Sequence, residues 1–182
     1  MKKLIIAAFA LAAFAVAPKA NAQTKMVGGA AMYPTKNIIE NAVNSKDHTT
    51  LVAAVQAAGL VETLSSAGPF TVFAPTNEAF NKLPAGTVDD LVKPANKATL
   101  TKILTYHVVA GKLSSADLWA KVKEGKGKAE LNTVSGGTLT VMAQGKKLYL
   151  VDEKGGKSWI TIADVNQSNG VIHVVNAVLM PN

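Results

Sequence analysis

The stretch GPFTVFAPTNEAF, residues 68–80, predicts a β-strand that leads directly into a helix. Phe70 to Ala74 is a short apolar run that follows a Gly-Pro break, which is typical of a brief strand. Thr76 fits the N-cap of the following helix, and Glu78 falls in its first turn, where the helix dipole favours negative charge. The two elements therefore meet without an intervening loop.

The chain before this stretch is predicted to be helical. Apolar residues recur at helical spacing in residues 37–44, which gives a first short helix. A second helix is expected to begin near Asp47 or Thr49 and to end at Gly59.

The chain after this stretch contains the clearest helical pattern. Five residues occupy positions i, i+3, i+4, i+7 and i+8 of one stripe: Leu100, Ile103, Leu104, His107 and Val108. Ser114 and Asp117 have the spacing of a capping box and begin another helix, which is expected to end near Gly125.

The last third of the chain changes to the alternation of β-strands. Residues 139–150 alternate around Gly145-Lys146, a Gly-X pair typical of a tight hairpin turn. Further strands are expected at 159–165 and 171–180, and the last should be central because it is apolar on both faces. Helices followed by an antiparallel meander predict an α+β fold.

The N-terminus has the order of a secretory signal peptide. Two lysines follow Met1, an apolar run spans residues 4–17, and the small triplet Ala20-Asn21-Ala22 comes next. We therefore expect residues 1–22 to be removed by cleavage after Ala22, which gives a secreted protein, either periplasmic or extracellular. No stretch reaches the length of roughly 20 apolar residues that a membrane span needs.

The remainder of the chain is expected to be one domain. Residues 23–34 are small, glycine-containing and aperiodic, so they predict a flexible spacer before a single domain at residues 35–182. The absence of cysteine excludes a disulfide framework, so the domain must be held by packing.

The charge is basic, and all of it comes from lysine. The formal net charge is +7, and loss of the signal peptide with its three lysines leaves +4. All 19 basic residues are lysine. Because arginine is the usual reader of guanine edges and of phosphate pairs, specific nucleic-acid recognition is disfavoured.

The lysines cluster at two places in the second half of the chain. One cluster is Lys121, Lys123, Lys126 and Lys128, and the other is Lys146, Lys147, Lys154 and Lys157. Such clusters can attract an anionic polysaccharide or cell surface, although a solvated lysine face without that role is common. The first cluster is our candidate for contacts with an anionic surface.

Three segments together resemble the fasciclin, or beta-Ig-H3, domain family. They are residues 68–80, the central segment LTYHVVAG at 104–111 and the segment NGVIHVVNAVLMP at 169–181. Their order and spacing agree over about residues 35–181, so the chain resembles the bacterial secreted single-domain type. The resemblance implies a β-sandwich or wedge of mainly antiparallel strands with several short helices packed around it.

The resemblance also implies a role in adhesion or interaction. Asn176 departs from the family pattern, which usually has an acidic residue there. Integrin binding, known for animal relatives, is not carried over, because Tyr106-His107 is present without a partner motif or an Arg-Gly-Asp sequence.

Candidate site residues follow from these segments. Tyr106, His107 and Asn77 are the candidates for partner binding. His107 and His173 lie on apolar faces, where a hydrogen-bonded core histidine is the competing interpretation. His48 is expected to be an ordinary surface residue.

No constellation for chemistry is found in the sequence. A Gly-x-Ser-x-Gly elbow is absent, and so is metal-ligand spacing of histidines or carboxylates. We therefore expect neither catalytic residues nor a metal or other cofactor.

The sequence thus predicts an exported, non-catalytic, monomeric module that binds a protein or a polysaccharide at a cell surface. The alternative is a small-ligand binding protein or an enzyme that uses a pocket near Tyr106 and His107. A third possibility is weak, salt-sensitive association of the lysines with membranes or nucleic acids.

Overall fold

The computed structural model describes residues 23–182, and the predicted signal peptide, residues 1–22, lies outside this part of the chain. Its helices are α1 (Ile38–Ala42), α2 (Thr49–Ala58), α3 (Val61–Ser65), α4 (Asn77–Asn81), α5 (Thr87–Leu91), α6 (Lys97–Tyr106) and α7 (Ser115–Glu124). Its strands are β1 (Lys25–Val27), β2 (Ala30–Met32), β3 (Phe70–Pro75), β4 (Val108–Ala110), β5 (Lys128–Asn132), β6 (Thr138–Gln144), β7 (Lys147–Val151), β8 (Lys157–Gln167) and β9 (Gly170–Val175). Short 3₁₀ turns at Lys46–His48 and Pro94–Asn96 precede α2 and α6.

Seven strands form one sheet in the order β4-β3-β9-β8-β7-β6-β5. The strands from β5 to β9 pair antiparallel in chain order, which confirms the predicted meander. The pairing of β3 with β9 is parallel, with Phe70 opposite Gly170. A bridge between Val109 and Thr133 brings the two ends of the sheet together. The sheet is therefore a wedge close to a barrel, and the predicted α+β class is confirmed.

Two hydrophobic clusters, the helical core and the strand core, lie on the two faces of the central strands. Val72 and Ala74 of β3 belong to the helical core, whereas Phe73 between them belongs to the strand core. In β9, Val174 and Val175 divide in the same way. All residues of β9 are buried, which confirms that this strand is central and covered on both sides.

Local capping and turn chemistry agree with the sequence. The Thr76 hydroxyl accepts from the backbone N–H of Ala79 at 3.2 Å and caps α4. Ser114 and Asp117 form a reciprocal capping box at the start of α7. Gly145 has a φ of 60° in the turn between β6 and β7, the left-handed backbone that a Gly-X hairpin requires at its first position.

Two elements end earlier than predicted. Helix α6 stops at Tyr106, and Val108 already starts β4. The apolar stripe continued to Val108 because that residue and Leu104 both face the helical core, although only one of them is helical. The predicted last strand, 171–180, ends at Val175.

The segment predicted as a flexible spacer, residues 23–34, contains an ordered hairpin formed by β1 and β2. Val27 and Met32 are each 3% exposed and belong to the helical core. The folded part therefore begins at about Lys25, and the predicted start at residue 35 is corrected. Strands of three residues are too short to show the alternation that identifies a strand in sequence.

The turn of this hairpin packs closely on the 3₁₀ turn before α2. The Gly28 carbonyl accepts from the backbone N–H of Lys46 at 3.1 Å. Gly28 has a φ of 57°, and a Cβ there would clash with the Ser45 hydroxyl. Glycine is therefore required at this contact.

Candidate functional site

Tyr106, the last residue of α6, has no exposed surface. Its hydroxyl donates to the Thr138 carbonyl at 2.7 Å and accepts from the backbone N–H of Glu153 at 3.2 Å. Thr138 begins β6 and Glu153 follows β7, so one side chain ties α6 to both strands. Burial raises the pKa of Tyr106 to about 12, which keeps the hydroxyl protonated as a donor.

His107 caps the end of α6 and is 2% exposed. Its Nδ1 lies 2.8 Å from the Ile103 carbonyl, and its Nε2 accepts from the backbone N–H of Leu179 at 3.0 Å. Because Nε2 accepts, the ring proton belongs on Nδ1 and is donated to Ile103. Burial lowers the pKa of His107 to about 4, so the ring is neutral at pH 7. Neither nitrogen is left for a substrate, a metal or a partner.

The prediction that Tyr106 and His107 contact a partner directly does not fit this geometry. Both side chains are buried, and their polar atoms bind the backbone of the same chain. The competing interpretation of a hydrogen-bonded core histidine is confirmed for His107, and also for His173, which has no exposed surface.

An interior cavity of about 40 Å³ borders His107 in the helical core. Its lining is apolar apart from the histidines His48 and His107. A water molecule needs about 10–15 Å³ of such space, so the cavity has room for a few waters and not for a typical organic ligand. The cavity beside His107 is therefore too small for the ligand pocket that the alternative interpretation requires.

His48 is 3% exposed, so its prediction as a surface residue is wrong. The β1–β2 hairpin, which the sequence did not reveal, packs on the turn that ends at His48. Its Nδ1 lies 2.9 Å from the Ser45 hydroxyl, whereas its Nε2 has no hydrogen-bond partner among residues 23–182. Burial lowers the pKa of His48, which favours the neutral ring.

Asn77 caps a helix to which it does not belong. Its Oδ1 accepts from the backbone N–H of Thr50 at 3.0 Å and from the Thr49 hydroxyl at 3.2 Å. Its Nδ2 donates to the Lys46 carbonyl at 2.8 Å. The residue at the N-cap of α2, His48, makes no side-chain cap, so Asn77 supplies one from α4. The side-chain amide of this candidate for partner binding is therefore occupied by hydrogen bonds within the protein.

Ser115, Asp164 and His173 meet with the composition of a catalytic triad but in a different arrangement. The Ser115 hydroxyl and backbone N–H both donate to the carboxylate of Asp164. The Asp164 backbone N–H donates to Nδ1 of His173 at 3.3 Å, and Nε2 of His173 lies 2.8 Å from the Leu113 carbonyl.

In a hydrolase triad the imidazole stands between the hydroxyl and the carboxylate. Here Asp164 contacts Ser115 directly, and both nitrogens of His173 bind backbone groups. Burial lowers the pKa of His173. Burial alone would raise the pKa of Asp164, but the bonds from Ser115 outweigh it and the pKa is lowered. The arrangement is an anchor between α7 and β8.

Within residues 23–182, this arrangement included, no group of three or more histidine or carboxylate side chains is placed to hold a metal ion.

The lysine cluster Lys121, Lys123, Lys126 and Lys128 is exposed on α7, the following turn and β5. Lys121 lies in the last turn of α7, where a cation interacts favourably with the helix dipole. Two carboxylates share this surface. Glu124 lines the same shallow depression, and Glu130 lies 3.6 Å from the Lys128 ammonium. The positive field of this cluster is therefore partly cancelled.

An open groove of about 680 Å³ lies where β7 and β8 separate. The pairing of these strands ends at Tyr149 and Trp159, beyond which β8 pairs with β9. We call it the indole–lysine groove after four of its lining residues, Trp119, Trp159, Lys146 and Lys147. These indoles are the only two tryptophans of the chain.

Sequence reasoning named Lys146 and Lys147 only as part of a second lysine cluster and missed the tryptophans. Trp119 lies on α7 and Trp159 on β8, and their spacing along the chain gives no reason to group them. Asn176, the position that departs from the family pattern, also lines the groove. Its Oδ1 accepts from the backbone N–H of Trp159 at 2.8 Å.

Comparisons with known proteins agree with this fold. A profile of the family described as Fasciclin domain matches residues 46–181. The chain is 44% identical over 185 residues to Protein sll1483 of Synechocystis, an alignment that covers 97% of this chain and 96% of that protein. It is 36% identical over 194 residues to Immunogenic protein MPB70 of Mycobacterium bovis, with 96% of this chain and 92% of that protein covered.

Among solved structures, the fold is similar to a FAS1 domain pair from the insect cell adhesion molecule Fasciclin I. The TM-score is 0.69 with 18% sequence identity, over 80% of this chain and 51% of that chain. At this identity the likeness concerns the fold alone. No helix within residues 23–182 is both long and apolar enough to cross a bilayer.

Proposed function

The chain belongs to the fasciclin domain family, and from this premise we propose that it is an exported, non-catalytic interaction module. It binds a protein or glycan partner at a cell surface through its exposed face. The observation that carries this proposal is the contrast between polar core residues committed to backbone and an open groove lined by both tryptophans. The similar fold of an insect cell adhesion molecule is consistent with this role.

The non-catalytic part of the proposal rests on the hydrogen bonds of the histidines. A histidine that acts as a general base needs a free ring nitrogen within reach of a substrate. His107 and His173 have both ring nitrogens occupied by their own chain. His48 has a free Nε2 but is enclosed in the core.

The export part rests on the N-terminal sequence. We propose that residues 1–22 direct export to the periplasm or the medium, and that the mature protein is one monomeric domain from about Lys25 to Asn182. The hairpin β1–β2 supports this boundary, because cleavage after Ala22 leaves both of its strands intact.

The lysine cluster of α7 and β5 is a second contact surface in this proposal. Its four ammonium groups can attract an anionic partner at long range. Since Glu124 and Glu130 lie among them, we expect this surface to steer association more than to hold the partner.

The proposal is tested on the full chain expressed in its native host. N-terminal sequencing of the exported protein should give Gln23 as the first residue. Crosslinking on intact cells, together with a glycan array probed at several ionic strengths, should then identify a protein or a glycan that is retained. An exported protein that crosslinks to no partner and binds no glycan would contradict the proposal.

A further inference from the structure

We propose that the indole–lysine groove binds an acidic polysaccharide, a chain of pyranose rings that bear carboxylates. This inference rests on the proposed function and specifies its surface and its ligand. The groove combines aromatic planes, uncompensated ammonium groups and a volume of about 680 Å³. That volume lies within the range of roughly 300–1,000 Å³ found for ligand sites.

The indoles are placed at the surface without being needed by the core. Trp119 is 36% exposed on α7, whereas the buried residues of that helix are Leu118 and Val122. A large apolar side chain that remains exposed is a common feature of recognition surfaces. The flat, electron-rich face of an indole is suited to the C–H groups on one face of a pyranose ring.

The second indole is held in a fixed position. Trp159 packs against Tyr149 with ring centroids 4.8 Å apart and planes inclined at 41°. Asn176 fixes its backbone through the hydrogen bond of 2.8 Å. A side chain that is ordered before binding loses less entropy on binding. Trp159 is therefore a pre-organised wall of the groove.

The charge of the groove is positive. Lys146 and Lys147 line it, and neither lies within ion-pair distance of a carboxylate in residues 23–182. No aspartate or glutamate is among its lining residues. The carboxylate of Asp164 lies beside it, but both oxygens accept hydrogen bonds from Ser115.

Two further ammonium groups contact the backbone of lining residues. Lys25 donates to the Ala163 carbonyl at 2.5 Å, and Lys82 donates to the Asn176 carbonyl at 2.6 Å. Lys25 and Lys82 therefore lie next to the groove without lining it, and Lys146 and Lys147 supply the charge of a lining that has no carboxylate. An anionic ligand is favoured, since complementary charge accelerates encounter and selects the partner.

The combination of aromatic planes and ammonium groups in the groove favours one ligand class over two others, acidic peptides and neutral polysaccharides. An acidic peptide would satisfy Lys146 and Lys147 but has no feature that requires two indoles. A neutral polysaccharide would stack on the indoles and leave the lysines unused. A polysaccharide of uronic acids uses both sets of side chains, which is why we assign this class.

The test measures binding of the full-length exported protein to polygalacturonate and alginate by affinity electrophoresis or calorimetry. Dextran is the neutral control, and polyglutamate is the control for charge alone. We expect both uronate polymers to bind, dextran and polyglutamate to bind at least about 10-fold more weakly, and affinity to fall as salt shortens the screening length.

Three variants locate the site. Trp119→Ala should weaken uronate binding by about 10-fold or more, as truncation of a central aromatic residue commonly does. Lys146→Ala combined with Lys147→Ala should weaken binding and flatten its salt dependence. The matched control, Lys93→Ala with Lys97→Ala, removes the same charge at exposed positions around the start of α6, outside both the groove and the lysine cluster of α7 and β5, and should change affinity less than about 2-fold.

Trp159→Phe keeps an aromatic ring in the second wall and serves as a folding-safe probe there. It should give an intermediate loss of affinity, with an unchanged circular dichroism spectrum. If wild-type protein fails to bind either uronate polymer, or binds polyglutamate equally well, the inference is overturned.

It is also overturned if Trp119→Ala binds uronates like wild type. In that case crosslinking or the glycan array can still succeed through another surface, so the proposed function would stand without this groove. Failure of every binding assay would instead remove the proposed function itself.

Discussion

The end of α6 and the indole–lysine groove differ in whether their polar groups are buried and hydrogen-bonded or open to solvent. Tyr106 and His107 are buried, and their polar atoms bind the backbone of other elements. Lys146 and Lys147 lie in an open groove without an ion-pair partner in residues 23–182. The Tyr106-His107 segment, which helps to identify the family, therefore stabilises the fold. The indole–lysine groove, which is the surface suited to binding, carries no recognisable sequence motif.

The difference has a physical cause. A buried polar side chain must find its partners inside the protein, because an unmet hydrogen bond there costs about 1–3 kcal/mol. Such a residue is tied to one backbone arrangement. A residue in an open groove can form its hydrogen bonds with water, so the fold does not dictate its type. Its type can instead be suited to the binding partner.

The largest expected effect is that of His107→Ala on stability. Removing the ring leaves a void in the core and deprives the Ile103 carbonyl and the Leu179 N–H of their partner. We expect the free energy of unfolding to fall by about 4 kcal/mol, measured by urea denaturation at pH 7. The conservative variant His107→Gln, whose amide can donate and accept, should recover part of the loss.

Binding by the folded fraction of His107→Ala should remain within about 2-fold of wild type, since His107 is a core residue that does not line the groove, and sites without shared partners act independently. Unchanged stability with lost binding would mean that this end of α6 is a site after all.

The second effect is a loss of stability in mild acid. The folded-state pKa of His107 is lowered from 6.5 to about 4, so between these values the unfolded chain binds more protons. Stability is then fully present above the unfolded pKa and is lost as pH falls from about 6.5 to 4, by about 3 kcal/mol. His48 and His173 shift in the same direction.

Urea midpoints measured at intervals from pH 7 to pH 4 check this expectation. His107→Gln provides the control, because an amide does not titrate, and its slope in this window should be clearly smaller. A wild-type midpoint that stays constant down to pH 4 would show that His107 is not buried in its neutral form.

A smaller effect is expected for Asn77→Ala. This change removes the cap that α4 supplies to α2, together with the bond to the Lys46 carbonyl. Loss of an N-cap costs about 1–2 kcal/mol, which thermal or urea denaturation will resolve. Asn77→Asp is the matched control, since it keeps the acceptor for Thr50 and should lose less.

If Asn77 contacts a partner as well, Asn77→Ala should reduce binding while Asn77→Asp, with nearly the same shape, reduces it less. We expect neither variant to change binding by more than about 2-fold once it is folded.

Much of the fold could be predicted because its signals are local. Thr76 and the pair Ser114 and Asp117 mark helix starts by short-range hydrogen bonds, and Gly145 marks a hairpin by its own backbone preference. The antiparallel meander follows from such turns. These features require only neighbours in sequence.

The parts that could not be predicted depend on distant contacts. The parallel pairing of β3 and β9 joins Phe70 with Gly170, and no local pattern encodes it. The hairpin of β1 and β2 gains its stability from Val27 and Met32 in the helical core and not from its own short strands.

The candidate site residues also fall into those that local sequence predicts and those that depend on distant contacts. The stripe of α6 predicted that His107 faces the core but could not decide whether Tyr106 beside it was exposed. The grouping of Trp119 with Trp159 requires knowledge of where β7 and β8 separate. The motif at 68–80 makes Asn77 a candidate for binding, whereas its role as a cap depends on the position of α2, which lies 27 residues away in sequence.

The central claim is that signature residues hold the fold and groove residues bind the partner. Its most direct test is a side-by-side measurement of unfolding free energy and uronate affinity for Tyr106→Phe and Trp119→Ala. We predict that Tyr106→Phe loses about 1–2 kcal/mol of stability, because it strands the Thr138 carbonyl and the Glu153 N–H, while its affinity is unchanged. Trp119→Ala should stay folded, lose about 1–2 kcal/mol of stability because the indole is only 36% exposed, and lose its affinity. The reverse pattern, with binding lost in Tyr106→Phe and kept in Trp119→Ala, would contradict the account.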